Sequence, residues 1–143
     1  MKRAIMPIKV YKFILFHLAD ELWAMPLLPA SQFIACEAIT LIPGAPKNVL
    51  GLVYHGGKII SLLDTSGILS VRAKRANSRT CLVFDYQGDY YGLEVDSGNN
   101  TVKSKKIFTD RKKKNFNKYI KINKNKVYIL DIETLWQQVK IYD

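Results

Sequence analysis

The chain has 143 residues, 48% of them hydrophobic. That is one domain's length, with enough apolar mass for a core and too much for a disordered chain. The formal charge is +10, and eleven of the 22 basic residues but only one of the 12 acids fall between Lys103 and Lys126, so one segment carries the excess and the remainder is neutral.

No run approaches the ~20 apolar residues of a spanning helix, and the reading expects no direct membrane insertion. His17, Asp20 and Glu21 interrupt the apolar N-terminal run, which argues against an export signal and for a cytoplasmic location. Cys36 and Cys81 are the only cysteines. They make no metal-ligand spacing and read as two reduced, partly buried thiols, with a single disulfide as the alternative.

In chain order, residues 1–9 read as an N-terminal tail. Val10 to Leu18 is an apolar strand, Ala19 to Glu21 a turn, and Leu22 to Leu28 a returning strand. Ala30 to Thr40 is ambiguous between a helical turn and an irregular strand. After Pro43-Gly44-Ala45-Pro46, Val49 to Tyr54 and Ile59 to Leu63 form a hairpin around Gly56-Gly57. Asp64 stops it and caps a short helical turn, Thr65 to Leu69. Residues 70–79 are polar and basic and read as a linker. Cys81 to Tyr86 and Tyr90 to Val95 form another hairpin, Asp96 to Asn100 a loop, and Thr101 to Phe108 a weak strand. Thr109 to Asn117 is a charged loop. Lys118 to Ile122 pairs with Lys126 to Leu130, and Asp131 caps a last helix from Ile132 to about Lys140.

The chain repeats itself. Phe16 to Leu27 aligns with Phe84 to Val95, and Lys58 to Leu69 with Asn125 to Trp136, at nearly the same offset. The repeats span about 11–69 and 80–137 within one domain, 10–143. Two copies of one supersecondary unit with about five short strands each imply an all-β fold of two small five-stranded β-barrel subdomains, with a short C-terminal helix.

Little points to catalysis. The carboxylates sit at turns and caps, and Asp64 and Asp131 occupy equivalent repeat positions, as caps should. No nucleophile motif accompanies His17 or His55, and Gly56-Gly57 lacks the helix and lysine of a phosphate loop. The expectation is a non-enzyme without cofactor or metal. The basic segment, with Lys103, Lys105, Lys106, Arg111, Lys112, Lys113 and Lys114 at its head and Phe116 and Tyr119 within it, is a solvated lysine-rich loop on this reading. Single-stranded nucleic acid is the alternative ligand, and an acidic protein or lipid surface is a further one.

Ile42-Pro43-Gly44-Ala45-Pro46, Val49 to Val53, Gly57 and the run Ile59 to Asp64 together resemble the CheW-like family of chemotaxis coupling proteins. So do Gly92-Leu93-Glu94-Val95-Asp96-Ser97 and Val127 to Leu135. The resemblance covers roughly residues 11–137. It implies two five-stranded barrels and a non-catalytic adaptor, a cytoplasmic monomer recruited to receptor arrays. Such an adaptor links the cytoplasmic tip of a chemoreceptor to the regulatory domain of a histidine kinase in two-component signal transduction. It places the partner surface at Ala30, Gln32, Phe33, Gly51, Tyr54, His55, Gly56 and Gly57, and Gly51→Asp is then expected to disrupt binding without unfolding. Two positions depart from the family. Gly56 stands where an arginine associated with receptor coupling is expected, and Gln32 replaces a frequent glutamate. These departures suit a divergent copy in a specialised motility or pilus pathway.

Overall fold

The computed structural model describes residues 9–36, 38–72 and 79–139. The expected terminal tail, most of the linker and the last residues of the chain lie outside them.

Eleven strands and two short helices follow in order: β1 (Tyr11–Leu18), β2 (Glu21–Pro26), β3 (Gln32–Cys36), β4 (Val49–His55), β5 (Lys58–Leu63), α1 (Thr65–Leu69), β6 (Arg79–Tyr86), β7 (Asp89–Val95), β8 (Ser97–Ser104), β9 (Phe108–Thr109), β10 (Lys118–Ile122), β11 (Asn125–Ile129) and α2 (Ile132–Gln138). The ambiguous segment, Ala30 to Thr40, contains strand β3. The polar DSGNN stretch, read as a loop, mostly belongs to β8, an edge strand exposed along most of its length. An edge strand with one solvated side does not need the apolar alternation that identifies a buried one.

Four hairpins turn the same way. Ala19 and Asp20, Gly56 and Gly57, Gln87 and Gly88, and Asn123 and Lys124 are consecutive pairs in the left-handed region. Such pairs give the two-residue turn whose twist matches antiparallel strands. The helices repeat as well. Asp64 accepts from the Gly67 N–H at 3.2 Å and Asp131 from the Thr134 N–H at 2.8 Å, each stopping its strand and satisfying a free donor of the next helix.

Two curled sheets result, ordered β8-β1-β2-β11-β10-β9 and β3-β6-β7-β5-β4. These are the two β-subdomains the repeat implies, but neither repeat builds one alone. The first barrel takes β1 and β2 from the first repeat and β8 to β11 from the second. The second barrel takes β3 to β5 from the first and β6 and β7 from the second. Four pairings cross between the repeats: two parallel, β2 with β11 and β5 with β7, and two antiparallel, β1 with β8 and β3 with β6.

Three apolar clusters follow. Phe13, Leu15, Ala24, Ile120, Val127 and Ile129 fill the first barrel, and Ile34, Val53, Ile60, Leu62 and Val83 the second. The largest lies between the barrels. There Phe16, Met25, Leu82, Phe84 and Leu93 meet Ile68 of α1 and Leu135 of α2. Both faces of β1, β2, β6 and β7 are therefore buried, which explains their unbroken apolar runs.

The cysteines are bonded to each other rather than reduced. β3 and β6 are antiparallel neighbours with Ile34 opposite Cys81 and Cys36 opposite Arg79. Cys36 and Cys81 are thus diagonal neighbours inside the second barrel, with Cα atoms 6.2 Å apart. Their separation of 45 residues gives no hint of this, because the pairing joins the two repeats. Both side chains are buried, which shields the bridge from soluble thiols.

Candidate docking site

The two edge strands of the second barrel, β3 and β4, curl toward each other. They are tied through the segment between them, where the N–H and C=O of Thr40 and of Leu52 exchange hydrogen bonds of 2.9 Å each. Beyond that bridge the edges part and leave an open groove of about 720 Å³. Gln32, Phe33 and Ile34 line one wall, and Tyr54 and His55 the other. Residues some twenty apart in sequence thus share one concave surface. Beside it two apolar side chains are exposed, Tyr54 at 66% and Ile59 at 56%, and they face each other across the hairpin. Parted strand edges beside exposed apolar side chains are what an added strand or helix can cover.

Among the described residues no group of three His, Cys, Asp or Glu side chains could hold a metal. His17 is turned to the Asn99 amide, 3.0 Å away, and His55 is exposed at the hairpin end. No helix of the described residues is long and apolar enough to cross a membrane.

A sequence profile of the CheW-like domain matches residues 12–140. The chain belongs to the CheW-like domain family. No curated protein matches it. Among solved structures, the scaffolding protein TtCheW from Thermoanaerobacter tengcongensis superposes with a TM-score of 0.71 at 18% identity, covering 94% of this chain and 91% of that one.

Set on this CheW-like frame, the remaining expected site residues separate. Gly56 and Gly57 lie at the exposed tip of the β4–β5 hairpin, where a Cβ would meet nothing within 4 Å. Ala30 is exposed in a left-handed turn before β3, off the groove. Phe33 is half-buried, and its ring lies so close to Gly98 of β8 that a Cβ there would come within 2.6 Å of it. Phe33 therefore wedges the barrels together as much as it lines the groove. Gly98, within the stretch read as a loop, escaped the sequence reading.

Gly51 is the correction. It is buried, and a Cβ on it would overlap the carbonyl oxygen of Thr40. Its role is to let the strands approach at the closing bridge, so Gly51→Asp cannot leave the fold intact.

The basic segment divides too. Lys103 is exposed on β8, Lys105 and Lys106 in the following loop, and Arg111, Lys112 and Lys114 in the loop before β10. Lys113 does not join them. Its ammonium lies 3.8 Å from the Tyr128 ring centroid and 5.2 Å from that of Trp23. Burial pushes its pKa down, against the pull of Glu21 and Asp110. Phe116, read as one of the aromatics among the lysines, is buried in the central cluster.

The Tyr128 hydroxyl donates to Asp110 Oδ2 at 2.7 Å. That bond, with the Lys112 N–H, holds the Asp110 carboxyl below its ordinary range. A depressed acid contributes stability that is present above the unfolded-state pKa and lost as pH falls through the folded one. The Asp110 carboxyl, followed by NMR, is expected to titrate below the ordinary aspartate value near 3.9 and to move up toward it in Tyr128→Phe. An unchanged titration in that variant would remove the bond from the account.

Proposed function

We propose that this CheW-like protein is a non-catalytic cytoplasmic adaptor of a chemosensory system, coupling chemoreceptors to a histidine kinase, with the β3–β4 groove and the Gly56-Gly57 tip as its docking face. The observation that carries the reading is the groove itself. Gln32 and Tyr54, chosen from separate stretches of sequence, line one concave surface in a fold whose relative is named a scaffolding protein. The glycine tip, in place of an arginine, supports a divergent member serving a specialised motility or pilus pathway. A charged anchor removed from a rim weakens steering and specificity before it weakens apolar docking.

The test is binding of the purified chain to the regulatory domain of the cognate kinase, by calorimetry. Wild type is expected to bind, and Tyr54→Ala to bind at least tenfold more weakly with unchanged melting, the loss of a central hot-spot aromatic, which costs about 2 kcal/mol or more. Absence of binding by wild type removes the kinase half of the proposal. Gly56→Arg probes the receptor half. The tip has room for the side chain, and Asn123 shows a non-glycine residue in the same left-handed region at the equivalent position of the other turn. The variant is expected to strengthen binding to the chemoreceptor tip.

A further inference from the structure

The outer face of the first barrel carries an arrangement that the adaptor reading leaves unused. Four aromatic residues lie in one row across four strands, with Phe108 of β9 opposite Tyr119 of β10, Tyr119 opposite Tyr128 of β11, and Tyr128 beside Trp23 of β2, which is buried at the row's inner end. Successive ring centroids are 5.4, 5.7 and 6.4 Å apart. Besides Lys113, which covers Tyr128 and Trp23, two lysines rest on this row. Lys121 Nζ is 4.8 Å from the Phe108 centroid and Lys126 Nζ 4.9 Å from that of Tyr119.

Lys121 and Lys126 also face each other directly across the β10–β11 pair. Like charges at facing positions destabilise a sheet, and opposite charges normally occupy them. A second such pair, Lys12 with Lys103, lies near the far edge of the same sheet. Among the described residues the one ion pair is Arg79–Glu94, so no carboxylate sits on either lysine of the ladder. The face sets two cations against each other and props them on rings, with no carboxylate of the described residues within ion-pair distance of either.

We propose that the β9–β10–β11 face is a second docking surface, which takes an acidic segment of a protein partner with Lys121 and Lys126 as its anchors. The charge is complementary, and propped ammonium groups lose less freedom on pairing than free ones. The row itself favours a polypeptide over a nucleic acid. The Phe108 and Tyr119 rings are already covered by lysines, and the Tyr128 ring by Lys113, so no bare platform is offered to stacking bases. Asp110 is bonded to the row through Tyr128, and Glu21 shares a hollow with Lys126. Both would repel a continuous phosphate chain. A polypeptide can set carboxylates at the two lysines and neutral residues beside the two acids.

The experiment measures binding of a labelled 20-residue peptide of alternating glutamate and serine to the full chain at several salt concentrations. A (dT)20 oligonucleotide and phosphatidylglycerol vesicles run in parallel. The peptide is expected to bind, more weakly as salt screens it. Lys121→Glu should weaken it at least tenfold, and Lys105→Glu, the same charge change in a loop, less than threefold. Tyr54→Ala should leave it unchanged, which separates this surface from the groove. Lys121→Glu turns a like-charge pair into an opposite one, so its unliganded melting temperature should not fall. Equal losses in the two charge variants would reduce the effect to diffuse net charge and overturn the proposal. So would failure of the peptide to bind, or tighter binding of the oligonucleotide or of the vesicles.

Discussion

Gly51→Ala is expected to destabilise the protein by about 3 kcal/mol, combining the cost of overpacking with that of a strained hydrogen-bonded bridge. The added methyl would occupy the position of the Thr40 carbonyl oxygen. That oxygen cannot swing aside as a flexible side chain would, because it accepts the Leu52 N–H and its own residue donates back to Leu52. Either the bridge opens or β4 shifts on β5, where the register already slips between Val49 and Gly51. In a thermal melt the drop should be roughly 10 °C for a chain of this size. Gly57→Ala is the control. Its Cβ meets nothing, although its backbone is left-handed at φ +76, so it should lose only about 1 kcal/mol. If Gly51→Ala melts within a few degrees of wild type, Thr40 and Leu52 do not close the barrel, and Gly51 returns to the list of docking residues.

The contrast between Gly51 and Tyr54 marks what the sequence could carry. Hairpins were legible because their signals are local: an apolar run, a two-residue turn, an apolar run. The equivalence of Asp64 and Asp131 was legible because each acts within three residues of itself. The groove was legible in part, since the resemblance places Gln32 and Tyr54 on one surface although their strands end the sheet at opposite edges. What stayed hidden depends on pairings between distant segments. The Cys36–Cys81 bridge needs β3 beside β6, the role of Gly51 needs Thr40 across from it, and Gly98 matters only because Phe33 lies on it. The aromatic row is an intermediate case. Tyr119-x-Lys121 and Lys126-x-Tyr128 flank a hairpin turn in mirrored order, a period-two signal that places both lysines and both tyrosines on one face. Phe108 and Trp23 join that row only through the β9 and β2 pairings.

Cutting the chain between Arg72 and Arg79 is expected to leave two fragments that do not fold alone and that fold when mixed. The sequence divides there into two repeats, and repeats often mark units that fold separately. The pairings say otherwise. In the fragment ending at Arg72, β1 and β2 lose β8 and β11, while β5 loses β7 and β3 loses β6. What remains is two hairpins and an unpaired β3, and an isolated hairpin is marginal in water. The central cluster divides as badly, with Phe16, Met25 and Leu63 on one side of the cut and Phe84, Leu93 and Leu135 on the other. Burying a side chain such as Phe16 or Phe84 contributes about 3 kcal/mol, and neither fragment retains the partners that bury them. Each fragment alone should therefore give the circular dichroism of an unfolded chain. The equimolar mixture should recover a cooperative melt, with the Cys36–Cys81 bridge free to form across the cut. A cooperative transition in either fragment by itself would mean that one repeat can close a barrel from its own strands, and that the exchange of strands is not what holds the two barrels together.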